Sequence, residues 1–175
     1  EMEYLCSHAG RNRFIRNLVC DLEGNTLVLF NYVEKHGMPL FELINNKVED
    51  SRQTFLIYGG VDTEDREKAR RIAETTKDSI IVASYGTFST GINIRNLHNV
   101  VFASPSKSRI RNLQSIGRVL RKGDNKTKAV LYDIADDISK GGRRNYTLNH
   151  LIERVKIYNE ESFDYEFIDV NLKTK

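Results

Sequence analysis

The stretch with the most chemistry in it is Ser108-Arg-Ile-Arg-Asn-Leu-Gln-Ser-Ile-Gly-Arg-Val-Leu-Arg121. Wound as a helix at about 100° per residue, it places Gln114, Arg118 and Arg121 within about 60° of one another. Leu113, Ile116 and Leu120 cover the adjoining flank, and Gly117 lies on the seam. A helix packed through that flank would hold two guanidiniums side by side. Each is a rigid fork of donors that keeps its charge, which suits a polyphosphate. The plainer alternative is a solvated basic face on a surface helix. Its surroundings favour the first reading. From Lys107 to Lys128, eight basic residues stand against Asp124 alone, a local +7, in a chain whose 27 basic and 24 acidic residues leave +3 overall. Such clustering points to a phosphate-bearing partner.

Other candidate chemistry is weaker. Gly86-Thr-Phe-Ser-Thr-Gly91 matches the first half of a phosphate-binding loop, but Ile92-Asn93 stands where Lys-Ser/Thr must reach the terminal phosphates and the metal. Leu131-Tyr-Asp133 resembles a strand presenting a metal-holding carboxylate. Without that loop to share the ion, Asp133 reads as a strand-end cap or turn residue, and no metal site is expected. The chain by itself thus lacks a competent site for nucleoside triphosphate hydrolysis. Its four histidines (His8, His36, His98, His150) have no spacing that nominates a general base, and Cys6 and Cys20 have no metal-ligand spacing. Two cysteines without a disulfide framework fit a reducing, cytoplasmic interior. No apolar run approaches membrane length and no secretory signal opens the chain, so no membrane partner is expected. The first residue is Glu and a helical pattern starts at once, as in a piece of a longer polypeptide.

The elements that must position these residues follow from hydrophobic period. At 175 residues the chain holds one α/β domain. Phe14, Ile15, Leu18, Val19 and Leu22 follow the helical period and define a leading helix within residues 1–24. Five apolar runs, at residues 26–31, 54–58, 79–83, 99–103 and 129–134, read as strands, the first two of them buried. Helices are expected over 33–46, with Pro39 near the start, and from Asp62, where acids crowd the first turn and Asp62 or Thr63 caps it. Residues 143–175 read as a terminal helix plus an edge strand built on Phe163, Tyr165, Phe167 and Ile168, after a linker at 140–144. Alternation of this kind predicts a mostly parallel sheet of five to six strands with helices on both faces, binding ligands where strands end. Phosphate-friendly features stand there in order: Asn31, Gly60 and the following helix start, Thr87 to Asn93, and Gln114 to Arg121.

Gln114-Ser-Ile-Gly117-Arg118-Val-Leu-Arg121 resembles motif VI (Q-x-x-G-R-x-x-R) of superfamily 2 helicases. Ser84 to Ile94 is similar to their motif V and Leu27 to Tyr32 to motif IV. Tyr58-Gly-Gly60 with Thr63-x-x-Arg66 is similar to the H-G-D…Q-x-x-R stretch between them. The resemblance runs from Thr26 to Asp133 and implies the second RecA-like domain of such an enzyme. It implies that Arg118 and Arg121 contact a triphosphate, one as arginine finger, with Gln114 orienting them or the attacking water. Gly91 and Asn93 would touch phosphate and ribose. Asn31, Gly60, Arg66 and Thr87 would grip one nucleic-acid strand through its backbone. ATP and Mg2+ would be held mainly by an N-terminal RecA-like domain of the same polypeptide, acting as a monomer. The implied substrates are single-stranded or branched DNA, or RNA–DNA hybrids, at replication and recombination intermediates. Asn93 stands where many relatives have Asp, and Tyr58 and Thr63 replace His and Gln. Two rival readings remain at this stage: a non-enzymatic nucleic-acid-binding module, and a doubly wound enzyme for a small phosphorylated substrate.

Overall fold

The computed structural model describes residues 1–89, 96–104 and 129–172. Five short strands form one sheet: β1 (Thr26–Phe30), β2 (Thr54–Ile57), β3 (Ile80–Ser84), β4 (Asn99–Phe102) and β5 (Val130–Asp133). Every pairing is parallel and the order is β2-β3-β1-β4-β5. The three central strands are buried at every position, which is why their sequences are apolar without alternation.

Successive side chains leave a strand on opposite faces, so each run feeds two cores. On one face Val28, Phe30, Val82 and Val101 pack with Ile15 and Val19 of α2 (Ala9–Asp21) and with Leu40, Ile44 and Val48 of α3 (Met38–Val48). On the other face Leu27, Leu29, Ile81 and Phe102 meet Ala69 and Ala73 of α4 (Thr63–Thr75) and Tyr158 of α6 (Tyr146–Glu160). A one-turn α5 (Tyr85–Ser89) follows β3 directly.

The ends of several elements differ from the sequence expectation. The leading helix is two: α1 (Met2–Ser7) stops before α2, because His8 is extended and its Nδ1 accepts the Arg11 N–H at 3.0 Å as a cap. The expected helix over 33–46 opens with a π-helical turn, Val33–Gly37, before α3 begins at Met38. Asp62 holds the first position before α4 but its carboxylate takes no backbone N–H. The acids there therefore act through the helix dipole rather than by capping. Residues 163–172 form no strand, although their polar and apolar residues alternate. They follow α6 as an extended segment with Phe167 and Ile168 exposed. The supposed linker is a tight turn, with Lys140 bridged to Arg143 and positive φ at Gly141 and Gly142.

Candidate nucleic-acid interface

A fully parallel ladder delivers every strand's carboxyl end to one edge. Ile57 pairs with Ala83, Phe30 with Ser84, Leu29 with Phe102 and Phe102 with Asp133. The residues just past the strands therefore stand in a row: Tyr58 to Gly60, then Tyr85 to Thr87, then Asn31 and Tyr32, then Ser104, then Ile134. Three of the four residues expected to grip a strand, Gly60, Thr87 and Asn31, thus follow adjacent strands. The fourth, Arg66, lies one turn inside α4.

Their settings differ. Asn31 is half-buried, and its Nδ2 donates to the Ser104 carbonyl at 3.4 Å. Gly59 and Gly60 are exposed; a Cβ on Gly60 would come within 2.9 Å of the Tyr58 ring, so that glycine also makes room for its neighbour. Thr87 is buried, its Oγ1 2.6 Å from Ser84 Oγ, and Ser84 Oγ accepts the Thr87 N–H at 3.4 Å. Arg66 reaches Thr63 Oγ1 with one nitrogen at 3.4 Å, while its Nε is buried with no partner among the described residues. Gly91, Asn93, Gln114, Arg118 and Arg121 lie outside the described residues.

Behind this edge runs a polar chain that sequence reading missed. His36 sits in the π turn, wholly buried, with Nδ1 2.7 Å from Ser104 Oγ and Nε2 3.1 Å from Asn12 Oδ1. Asn12 Nδ2 donates to the Cys6 carbonyl at 2.8 Å, so its Oδ1 is an acceptor and His36 Nε2 must carry the proton. Burial, reinforced by the Arg11 charge, depresses the imidazole to about 4. It is neutral at physiological pH, and the Ser104 hydroxyl donates to Nδ1. Gly37 beside it was the available signal, since glycine inside an otherwise helical stretch marks a special backbone. A Cβ there would lie 2.4 Å from the Phe30 ring.

Asp133, expected as a strand-end cap or turn residue, ends β5 and is tied to α6. It accepts two hydrogen bonds from Arg154, at 2.7 and 2.8 Å, and one from the Tyr158 hydroxyl at 2.6 Å, all from α6. Burial opposes the Arg154 charge, and the facing carboxylate more than offsets it, leaving the guanidinium firmly charged. A second bidentate pair, Arg11 with Asp136 at 2.7 and 2.9 Å, ties α2 to the segment after β5. Among the described residues no three His, Cys, Asp or Glu side chains gather as a metal site would, and no helix is long and apolar enough to cross a membrane.

A five-stranded parallel sheet in this order, clad by helices on both faces, is a RecA-like domain. The chain belongs to the helicase conserved C-terminal domain family, which it matches over residues 10–123, within the superfamily 2 helicases. It is 40% identical to the ATP-dependent DNA helicase uvsW of Enterobacteria phage T4, over 98% of this chain and 36% of that protein. The crystal structure of T4 UvsW superposes with a TM-score of 0.81, covering 99% of this chain and 37% of the other. A putative ATP-dependent RNA helicase of Acanthamoeba polyphaga mimivirus is 29% identical over 94% of this chain and 30% of its own length. The C-terminal part of the Fun30 ATPase domain shares the fold at 15% identity and a TM-score of 0.57, covering 87% of this chain and 55% of that one. The chain spans about a third of the length of the curated relatives it matches.

Proposed function

We propose that this domain is the C-terminal half of an ATP-dependent helicase or translocase motor that remodels branched DNA, or RNA–DNA hybrids, at replication and recombination intermediates. The observation that carries the reading is the shared carboxyl edge. Adjacent strands bring Gly60, Thr87 and Asn31 into one row, Ser104 stands on that same edge, and the basic cluster from Lys107 to Lys128 follows it in the sequence. Backbone grips of this kind confer little sequence preference and weaken as salt rises.

Arg118 and Arg121 supply positive charge to the triphosphate, Gln114 orients them or the attacking water, and Gly91 and Asn93 meet phosphate and ribose. In phosphoryl transfer, positioning and charge neutralisation carry the rate, so a fingertip offered from a second domain suffices for a large effect. Mg2+ supplies further neutralisation when bound. In this reading the partner domain holds most of its ligands; Asp133 here is engaged by Arg154 and Tyr158. Splitting the ATP site across two domains makes binding close a cleft and hydrolysis open it, and stepping along the strand follows.

The test is Arg118→Ala in the longer polypeptide carrying both motor domains. ATP turnover should fall by about 10³-fold or more while ATP binding persists. Normal turnover would remove the finger assignment, and robust hydrolysis by the 175-residue chain alone would remove the half-site reading.

A further inference from the structure

Tyr32 directly follows Asn31 at the carboxyl end of β1, and its surroundings are unusual. Four tyrosines are exposed among the described residues: Tyr4 (54%), Tyr32 (47%), Tyr146 (65%) and Tyr165 (44%). Three lean on another ring. Tyr4 meets His8 edge-on at 5.5 Å, Tyr146 meets His150 at 4.3 Å, and Tyr165 meets Phe167 at 5.7 Å. Among the described residues the Tyr32 side chain has no ring neighbour and no hydrogen bond.

Its backbone is the opposite, held from several directions at once. The Tyr32 carbonyl accepts both the His36 N–H at 3.2 Å and the Gly37 N–H at 2.8 Å, which is what makes the turn π-helical. His36 is locked to Ser104 and Asn12, and Gly37 sits so close on Phe30 that no side chain would fit there. Such turns are rare, persist only where the surroundings over-determine them, and concentrate at functional sites. Here a pinned pedestal presents a half-exposed aromatic ring beside Asn31, at the β1 end of the row formed by Gly60, Thr87 and Asn31.

We infer that Tyr32 is a nucleobase-stacking residue: as the strand's phosphates pass Asn31, one unpaired base lays its face on the phenol ring. This deepens the strand-binding reading above and rests on it. Stacking needs a π face and a fixed orientation, tolerates any base, and contributes independently of phosphate contacts. A ring already packed on another ring would have to give up that contact first, and among the described residues Tyr32 has none to give up.

The experiment uses the full-length helicase, without nucleotide, and a mixed-sequence single-stranded oligonucleotide across a salt series. Tyr32→Leu, which keeps apolar bulk, should weaken binding roughly tenfold or more while leaving the salt slope unchanged. Tyr32→Phe should bind as the parent does. Arg66→Ala should instead flatten the slope by about one phosphate's worth. A strand carrying 5-iodouracil should photocrosslink to residue 32. Should Tyr32→Leu bind normally, or no crosslink reach residue 32, while Arg66→Ala flattens the slope, stacking is wrong and the strand track stands. Should neither variant alter binding, the strand-binding reading falls and the stacking proposal with it.

Discussion

The two ends of the same sheet are built on different plans. At the amino edge Asn25 is wholly buried and its side chain is saturated. Nδ2 lies within hydrogen-bonding distance of the carbonyls of Ala73, Thr76 and Asn96, at 2.7, 2.8 and 2.9 Å, and Oδ1 accepts from Ser79 N and Oγ at 2.8 and 2.9 Å. Beside it Arg52 donates to the carbonyls of Leu22 and Gly24 at 2.9 and 3.0 Å, closing the end of α2, and pairs with Asp78 at 3.1 Å. At the carboxyl edge Gly59 and Gly60 are exposed, and among the described residues Arg66 Nε has no partner and the Tyr32 ring has neither a ring neighbour nor a hydrogen bond. Both edges spend polar side chains on the fold, since Asn31, Thr87, Ser104 and Asp133 are bonded too; only the carboxyl edge, among the described residues, also leaves that nitrogen and that ring without a partner.

The largest expected effect tests the first half of that contrast. Asn25→Ala would strand the Ala73 and Asn96 carbonyls and two Ser79 donors, the Thr76 carbonyl keeping Asn96 Nδ2 at 3.3 Å. At about 1–3 kcal/mol for each group left unpaired, even partial relaxation leaves a loss on the order of 4 kcal/mol, readable by urea unfolding of the 175-residue chain. A loss under about 1 kcal/mol would mean that the amino edge is no clamp.

Next in size is acid sensitivity from the buried chain behind the carboxyl edge. His36 binds its proton near pH 4 when folded and near 6.5 when unfolded. The unfolded state therefore takes up the proton first. Its stabilisation is complete above about 6.5 and is lost as pH falls toward 4, by about 3 kcal/mol if the ring stays buried. Stability measured across that window in the parent and in His36→Gln should converge at the acid end; parallel curves would sink the assignment. Smallest of all is Arg66→Ala. With one long hydrogen bond to lose, its stability should stay within about 0.5 kcal/mol of the parent, while its effect appears in the salt dependence of strand binding. If that variant unfolded the domain, the division of labour between the edges would be wrong.

The same contrast explains what was legible in the sequence. All five strands stand within two residues of where apolar runs placed them; the three central ones are buried on both faces and have no polar positions to blur them, while the edge strands β2 and β5 are only partly buried. Once the strands are parallel, the common edge of Asn31, Gly60 and Thr87 follows without further information. The stabilising partners were not legible, because Arg11 finds Asp136 across 125 residues and Asn25 finds Asn96 across 71. Such pairs have no local pattern. Asp133 was read by its motif-like setting, whereas its partners come from a helix whose Arg and Tyr look like ordinary surface and core residues. The edge strand expected after α6 failed for a related reason: alternation reports a half-exposed strand only when a neighbour is present to pair with it, and residues 163–172 have none.

Glu1 adds a mechanical corollary. Its carboxylate takes the N–H groups of Tyr146 and Thr147 at 2.8 and 2.5 Å; burial resists the charge, but these bonds and one from Asn145 prevail, holding the acid at about 2. Residue 1 is thus buckled onto α6, like a belt fastened at one notch. Tension applied at residue 1 would be borne at once by α6 and, through Arg154 and Asp133, by the sheet's outermost strand, so the fold would meet a tug as a closed hoop and not as a loose thread.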